Sequence, residues 1–197
     1  MIDILFPTKG ENIKGIEYSI NSILSQTYDD FILHILIDEP VAWIYEKYSK
    51  NEKIHIDIIP DKYVKENKAI NGNHASKWAL EEMELSGDWI YQMSDNDIIM
   101  PFALEYLINN SNNCSMVIGR AIGIGQNSKA MRIELGKNIR CGLITGGVVL
   151  IKKDDMRKLE KPYCITNIYE VDFYIINKMA EKYPFKMIDS LVLIVNL

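Results

Sequence analysis

Three largely apolar runs, Ile2–Phe6, Phe31–Ile37 and Ile54–Ile59, interrupted only by Asp3, His34, His55 and Asp57, are separated by amphipathic stretches, and this constrains the chain more than any other feature. A strand that is apolar at every position, rather than at every second one, must be covered on both faces, which is the condition of a parallel sheet. The first intervening stretch repeats Ile16, Ile20, Ile23 and Leu24 at helical spacing as far as Gln26. The second carries Val41, Ile44 and Tyr48 on one face, with Pro40 near its first turn, where proline is tolerated. After Pro60-Asp61 a polar loop is expected. A helix marked by Ala75, Trp78, Ala79 and Met83 follows, with Asn73 as its N-cap, and then a strand ending at Met93. Right-handed crossovers place the carboxyl ends of such strands on one edge, where open sheets bind ligands. Thr8-Lys9, Asp38-Glu39, Asp61-Lys62 and Asp95-Asn96-Asp97 are expected along that rim.

The second half reads differently. Met116–Ile118 and Leu143–Ile151 are expected as strands, and the glycine-rich, polar stretch Gly119–Cys141 as a hairpin or a loop over the site. Lys152–Leu159 suggests a short helix and Tyr169–Tyr183 a clearer one, with Val171, Ile175 and Met179 on one stripe; Phe185–Val195 reads as a closing strand. At 197 residues, with neither linker nor repeat, the chain is expected to be one domain. The net charge of −5 argues against a nucleic-acid partner, which needs a basic face. Cys114, Cys141 and Cys164 are odd in number and lack metal-ligand spacing, so reduced thiols in a cytoplasm are expected. Neither a signal peptide nor an apolar run of about 20 residues is visible.

The densest chemistry lies in Ser94-Asp95-Asn96-Asp97, at the tip of the strand Gly87–Met93. Two acids two residues apart repel each other and invite a counter-cation. A hard divalent ion, Mg²⁺ or Mn²⁺, would bind them and keep positions open for phosphate oxygens; the alternative is a simple turn, which Asp and Asn favour. Other phosphate and hydrolase signatures are missing: neither a G-x-x-x-x-G-K-[ST] loop, nor G-x-G-x-x-G after the first strand, nor a G-x-S-x-G elbow. His34 and His55 read as structural or edge residues; His74, in the first turn of a helix behind Asn73, is better placed for a ligand, although a solvated position is the expectation.

Taken in order, these residues resemble the GT-A-fold glycosyltransferases, and among them the inverting family 2. The resemblance is carried by Ile4-Leu5-Phe6-Pro7-Thr8, by Ser22-Ile23-Leu24-Ser25-Gln26-Thr27-Tyr28 against an L-x-Q-T-Y pattern, and by the acidic pair Asp38-Glu39. Asn73-His74-Ala75-Ser76, Gly87-Asp88-Trp89-Ile90, and Asp95-Asn96-Asp97 ahead of Pro101 continue the series. It implies an α/β fold, a GT-A (Rossmann-like) three-layer sandwich with a mostly parallel central sheet. Residues 1–110 would be the nucleotide-sugar half and 111–197 the acceptor-side half.

The resemblance also implies roles. Pro7, Thr8, Lys9, Glu11, Asp38, Asn73, Lys77, Asp95 and Asn96 would bind the donor, with a UDP-sugar expected, and Lys62 would face negative charge nearby. Asp95 and Asp97 would hold Mn²⁺ or Mg²⁺. The base would come from the E-D pair that opens a late helix, matched here by Tyr169-Glu170, so Glu170 is the aligned base and Asp172 the second candidate. The acceptor would be a glycan or a lipid-linked molecule, and the location cytoplasmic, free or peripheral at the inner membrane face. In the family's register acids stand at Ser94, Asn96 and Asp97, so the motif here is displaced by one residue. The family's arginine in the Asn73–Lys77 stretch is replaced by His74 or Lys77, and the chain stops at Asn196-Leu197, about where many relatives continue to a histidine. Two other readings stand beside transfer with inversion: a degenerate domain that binds nucleotide-sugar or glycan without turnover, and a nucleotidyltransferase. The latter normally has a glycine- and arginine-rich loop after the first strand, where only Lys9-Gly10 appears.

Overall fold

The computed structural model describes residues 1–66, 73–124, 130–132, 139, 146–159 and 171–196. Three strands come first, β1 (Ile2–Pro7), β2 (Phe31–Ile37) and β3 (Ile54–Ile58), separated by α1 (Ile13–Leu24) and α2 (Ala42–Tyr48). Then come α3 (Asp61–Glu66), α4 (Asn73–Glu81), β4 (Trp89–Gln92), β5 (Ile98–Ile99) and α5 (Ala103–Asn109). The rest consists of β6 (Met116–Ile124), β7 (Ala130–Arg132), a 3₁₀ turn at Gly146–Val148, β8 (Val149–Lys152), α6 (Lys153–Arg157), α7 (Val171–Lys182) and β9 (Phe185–Asn196).

Among the described residues the strands form one sheet in the order β3-β2-β1-β4-β8-β6-β9-β5, with β7 paired to β6. β1 to β4 are mutually parallel, β6 and β9 are parallel to each other, and β8, β5 and β7 run antiparallel to their neighbours. Six of the nine strands therefore point one way, and the sheet is mostly parallel, as expected. β1 lies in its interior, and Ile2, Ile4, Leu5 and Phe6 have no solvent exposure. The connections from β1 to β3 step away from β1 on one side, whereas β4 lies on the other, and parallel crossovers of this kind are right-handed as a rule. The crossover helices consequently lie on opposite faces, and the core sits between them and the sheet.

The structure corrects several local expectations. Asp61–Glu66 is a helix, not a loop: the backbone N–H groups of Tyr63 and Val64 both donate to the Pro60 carbonyl. Asn73 is the first helical residue of α4, not its cap. Within the strand expected over Leu143–Ile151, Gly146–Val148 is a 3₁₀ turn and β8 follows it at Val149, residues 143–145 lying outside the described residues. α5 and the two-residue β5 had no counterpart in the sequence reading. Gly119–Cys141 contains the β6–β7 hairpin in its described part; Cys141, Cys164, Thr145 and Glu170 lie outside the described residues.

The buried strands also enclose charge. His34, in β2, is 3% exposed, with Nε2 3.1 Å from Asp3 Oδ1 and Nδ1 3.3 Å from Asp57 Oδ2. The other Asp3 oxygen accepts the Gly87 N–H at 2.7 Å. A Cβ at Gly87 would lie 2.7 Å from the Met1 carbonyl oxygen, so the glycine of the G-D-W-I run is required by close packing. His34 is thus a central junction rather than an edge residue. Burial opposes its charge, but the hydrogen bonds to Asp3 and Asp57 outweigh burial and raise its pKa to about 8. With the folded value above the ordinary 6.5, its stabilisation is fully present below pH 6.5 and is lost as pH rises through about 8. Urea unfolding between about pH 6 and pH 9 should show a loss of about 2 kcal/mol from this group. His34→Gln should be less stable at the acidic end and should lack that slope.

Candidate functional site

Strand order reverses between β1 and β4, and the carboxyl ends flanking such a reversal form the crevice of an open α/β sheet. Thr8 follows β1 and Asp95 follows β4, and the Thr8 hydroxyl donates to Asp95 Oδ2 at 2.6 Å across that point. Thr8 is fixed from two more directions. Its N–H donates to the Leu36 carbonyl at 3.0 Å, and its Oγ1 accepts the Gly10 N–H at 3.1 Å. Gly10 has φ +77°, and Trp43 Nε1–H donates to its carbonyl at 3.1 Å. This tight turn leaves Lys9 and Glu11 exposed beside Pro7 and Thr8.

The acidic turn is held from below by α1. Ser19 Oγ donates to the Asp97 carbonyl at 2.6 Å. Gln26 Nε2 donates to the Met100 and Ser22 carbonyls at 2.7 and 3.1 Å, while its Oε1 accepts the Leu104 N–H at 3.1 Å. The Gln of the L-x-Q-T-Y run is therefore a structural tie. Asp95 and Asn96 are half-buried at the rim, whereas Asp97 is 2% exposed. Among the described residues, no group of three or more His, Cys, Asp or Glu side chains is placed to hold a metal ion. A divalent ion here would take most of its ligands from a bound anion, the usual arrangement for Mg²⁺ with phosphates.

On the β2 side, His74 Nε2 lies 2.6 Å from Asp38 Oδ1, and His74 is 13% exposed. A carboxylate only accepts, so the proton stands on Nε2; Nδ1 is then buried with no partner among the described residues. His74 is therefore a paired site residue and not a solvated one, because its partner, 36 residues earlier, arrives only through the fold. Asn73 is half-buried beside it. The two lysines are drawn elsewhere: Lys77 Nζ lies 5.4 Å from the Tyr63 ring centre, and Lys62 pairs with Glu82.

Asp172 stands in the first turn of α7, where the helix dipole favours an acid. Its Oδ2 accepts the Gly146 N–H at 2.9 Å, and it faces a recess shared with Gln92, Val149, Ile175 and Ile176. Burial raises its carboxyl above the ordinary aspartate range, with the Gly146 N–H pulling the other way. Gln92 ends β4, three residues before Asp95, so the recess adjoins the same rim. Gln92 and Trp43 were not singled out in the sequence, because an isolated Gln or Trp carries no motif; Gly146 was weighed there only within Thr145-Gly146-Gly147, as a place of close substrate approach or a simple turn, and not as a partner of Asp172.

The sequence matches no family model and no curated protein. Solved structures are more informative. S. aureus TarS, a glycosyltransferase, matches over 100% of this chain and 36% of its own, with 12% identity and a TM-score of 0.73. The fold is GT-A. Residues 1–349 of TarS in complex with UDP match with a TM-score of 0.75, and in complex with UDP-GlcNAc with 0.73, each at 12% identity. This chain spans 60% and 58% of those two chains and is covered in full. In a GT-A sheet the β1–β4 reversal gathers Thr8, Asp38, His74 and Asp95 at one rim.

The turn after β1 gives a direct stability test. A Cβ on Gly10 would sit 2.8 Å from Val41 Cγ1, in a backbone conformation that L-residues resist. Gly10→Ala should cost about 1–2 kcal/mol in urea unfolding from the left-handed backbone alone, and more once the Val41 contact is counted.

Proposed function

We propose that the chain transfers a sugar from a nucleotide-sugar donor, a UDP-sugar, to an acceptor hydroxyl with inversion at the sugar carbon. The observation that carries this reading is the fold match of this whole chain to about 60% of the TarS chain that is known in complex with UDP and UDP-GlcNAc, together with the polar rim at the β1–β4 reversal. Thr8, Asp38 and Asp95 are the inner donor contacts in this reading. Pro7, Lys9, Glu11, Asn73, Lys77 and Asn96 belong to the outer margin.

Asp172 is the base. Its carboxylate takes the proton from the acceptor hydroxyl as that oxygen forms a bond to the sugar carbon. The bond from that carbon to the diphosphate breaks, and its electron pair leaves with the nucleoside diphosphate. A raised proton affinity suits the task, and the surrounding apolar wall excludes competing water. Glu170 is the competing assignment.

Asp95 and Asp97 are the carboxylates that would hold Mn²⁺ or Mg²⁺. The half-exposed Asp95 and the buried Asp97 fit an ion that arrives with the diphosphate better than a resident one. Its chemistry when bound is neutralisation of charge on the departing group. The acceptor is a glycan or lipid-linked hydroxyl, met by the acceptor-side half. No helix among the described residues is long and apolar enough to cross a membrane; the reading implies work in the cytoplasm, free or at the inner membrane face.

Calorimetric titration with UDP, with and without Mn²⁺, is the first test. Binding that Mn²⁺ strengthens about tenfold, and that Asp95→Ala weakens by a similar factor, is expected. An absence of UDP binding under both conditions would sink the UDP-sugar assignment. In a screen of UDP-sugars that includes UDP-GlcNAc, Asp172→Asn should lower turnover about 10²- to 10⁴-fold, and Glu170→Gln should not. The reverse pattern moves the base to Glu170. Tight UDP binding without any turnover favours the degenerate binding domain.

A further inference from the structure

Tyr91, in β4, is fully buried, and its hydroxyl donates to the Gly147 carbonyl, 56 residues away. A phenol in a closed core must place its O–H on some acceptor, and the acceptor used here belongs to the 3₁₀ turn Gly146–Val148. The preceding residue of that turn, Gly146, points its N–H at Asp172 Oδ2. Two hydrogen bonds thus run in series from the central sheet to the start of α7. Neither end is replaceable by packing alone: Tyr91 is held by the β1–β4 ladder, where Ile4 and Tyr91 are partners, and Asp172 is held by α7. Asp97 is close enough to Tyr91 that its charge, added to burial, holds the hydroxyl protonated and able to donate.

We infer that Tyr91 is a positioning residue for the reaction: through the Gly147 carbonyl it fixes the Gly146–Val148 turn, so that the Gly146 N–H holds the Asp172 carboxylate in one orientation toward the recess. This rests on Asp172 being the base. The two halves are joined by the β4–β8 ladder, and the Tyr91 hydroxyl adds to it a direct tie from β4 to the turn that holds the base. Without that hydroxyl, the two glycines of the turn have no side chains to define their position, and the buried Val148 is left as its side-chain anchor. Of the described residues that line the recess with Asp172, Gln92 is the only other one with a polar side chain, and none titrates.

The test is a carboxyl-carbon NMR titration of the full chain without nucleotide, with the Asp172 signal assigned by its loss in Asp172→Asn. Loosening the Gly146 N–H removes a donor to the charged form, so Tyr91→Phe should raise the Asp172 midpoint by about half a pH unit or more. Gly146→Pro, which deletes the donor itself, should shift it in the same direction and at least as far. Tyr91→Met, a second variant without the hydroxyl but with an adaptable side chain, should reproduce the Tyr91→Phe shift. Ile4→Val, which thins the same core without touching the turn, should lower stability and leave the midpoint in place. An unmoved midpoint in the folded hydroxyl-free variants, beside a clear shift in Gly146→Pro, would overturn the positioning role. A shift in Ile4→Val equal to that in Tyr91→Phe would also overturn it, by showing that general loosening suffices. Since the titration needs no turnover, its failure is distinct from failure of the base assignment, which is read from Asp172→Asn activity.

Discussion

Burial of β1 on both faces and along both edges is the constraint from which the rest follows. A strand flanked by β2 and β4, in which Ile2, Ile4, Leu5 and Phe6 are all fully buried, has little room for polar groups except at its ends. At its start the exception is Asp3, which is tolerated because His34 and the Gly87 N–H saturate it. At its finish the chain must turn at once, and Thr8, Gly10 and Trp43 make that turn. The crevice is thus the place where a fully enclosed strand first reaches water, beside a second strand that does the same.

Much of this was legible because parallel strands announce themselves. Ile2–Phe6, Phe31–Ile37 and Ile54–Ile59 were placed within a residue of their observed ends, since each is a mostly apolar run bounded by proline or charged residues. The short elements were not. β5 has two residues, too few for any periodicity, and α5 has seven, following directly on a proline turn. α3 is charged at several positions and takes its first-turn support from a backbone carbonyl, which a pattern of side chains does not display.

The site divides along the same line. Thr8 and Asp95 could be nominated because strand ends share an edge, and the fold then joined them by a hydrogen bond. Pairings between residues distant in sequence were invisible. His74 looked like a surface helix start until Asp38 was brought to it, and Tyr91 read as ordinary core. Its hydroxyl acquires meaning only when a turn from the other half of the sheet arrives above it. Charge followed a similar rule: Lys62 and Lys77 looked available for an anion, but a carboxylate and an aromatic face lie nearer to them.

Gln26 carries a consequence of its own. Its amide gives protons to two carbonyls and takes one from Leu104, so both its donor and its acceptor atoms are engaged. Glutamate has the same shape but cannot give, lysine cannot take, and the shorter asparagine changes the reach. Hydrolysis of that amide to an acid, a slow change that alters the mass by a single unit, would set an oxygen against two carbonyls under the acidic turn. At this one position an almost isosteric atom replacement would take the floor from under the acidic turn while the sheet above it stays whole.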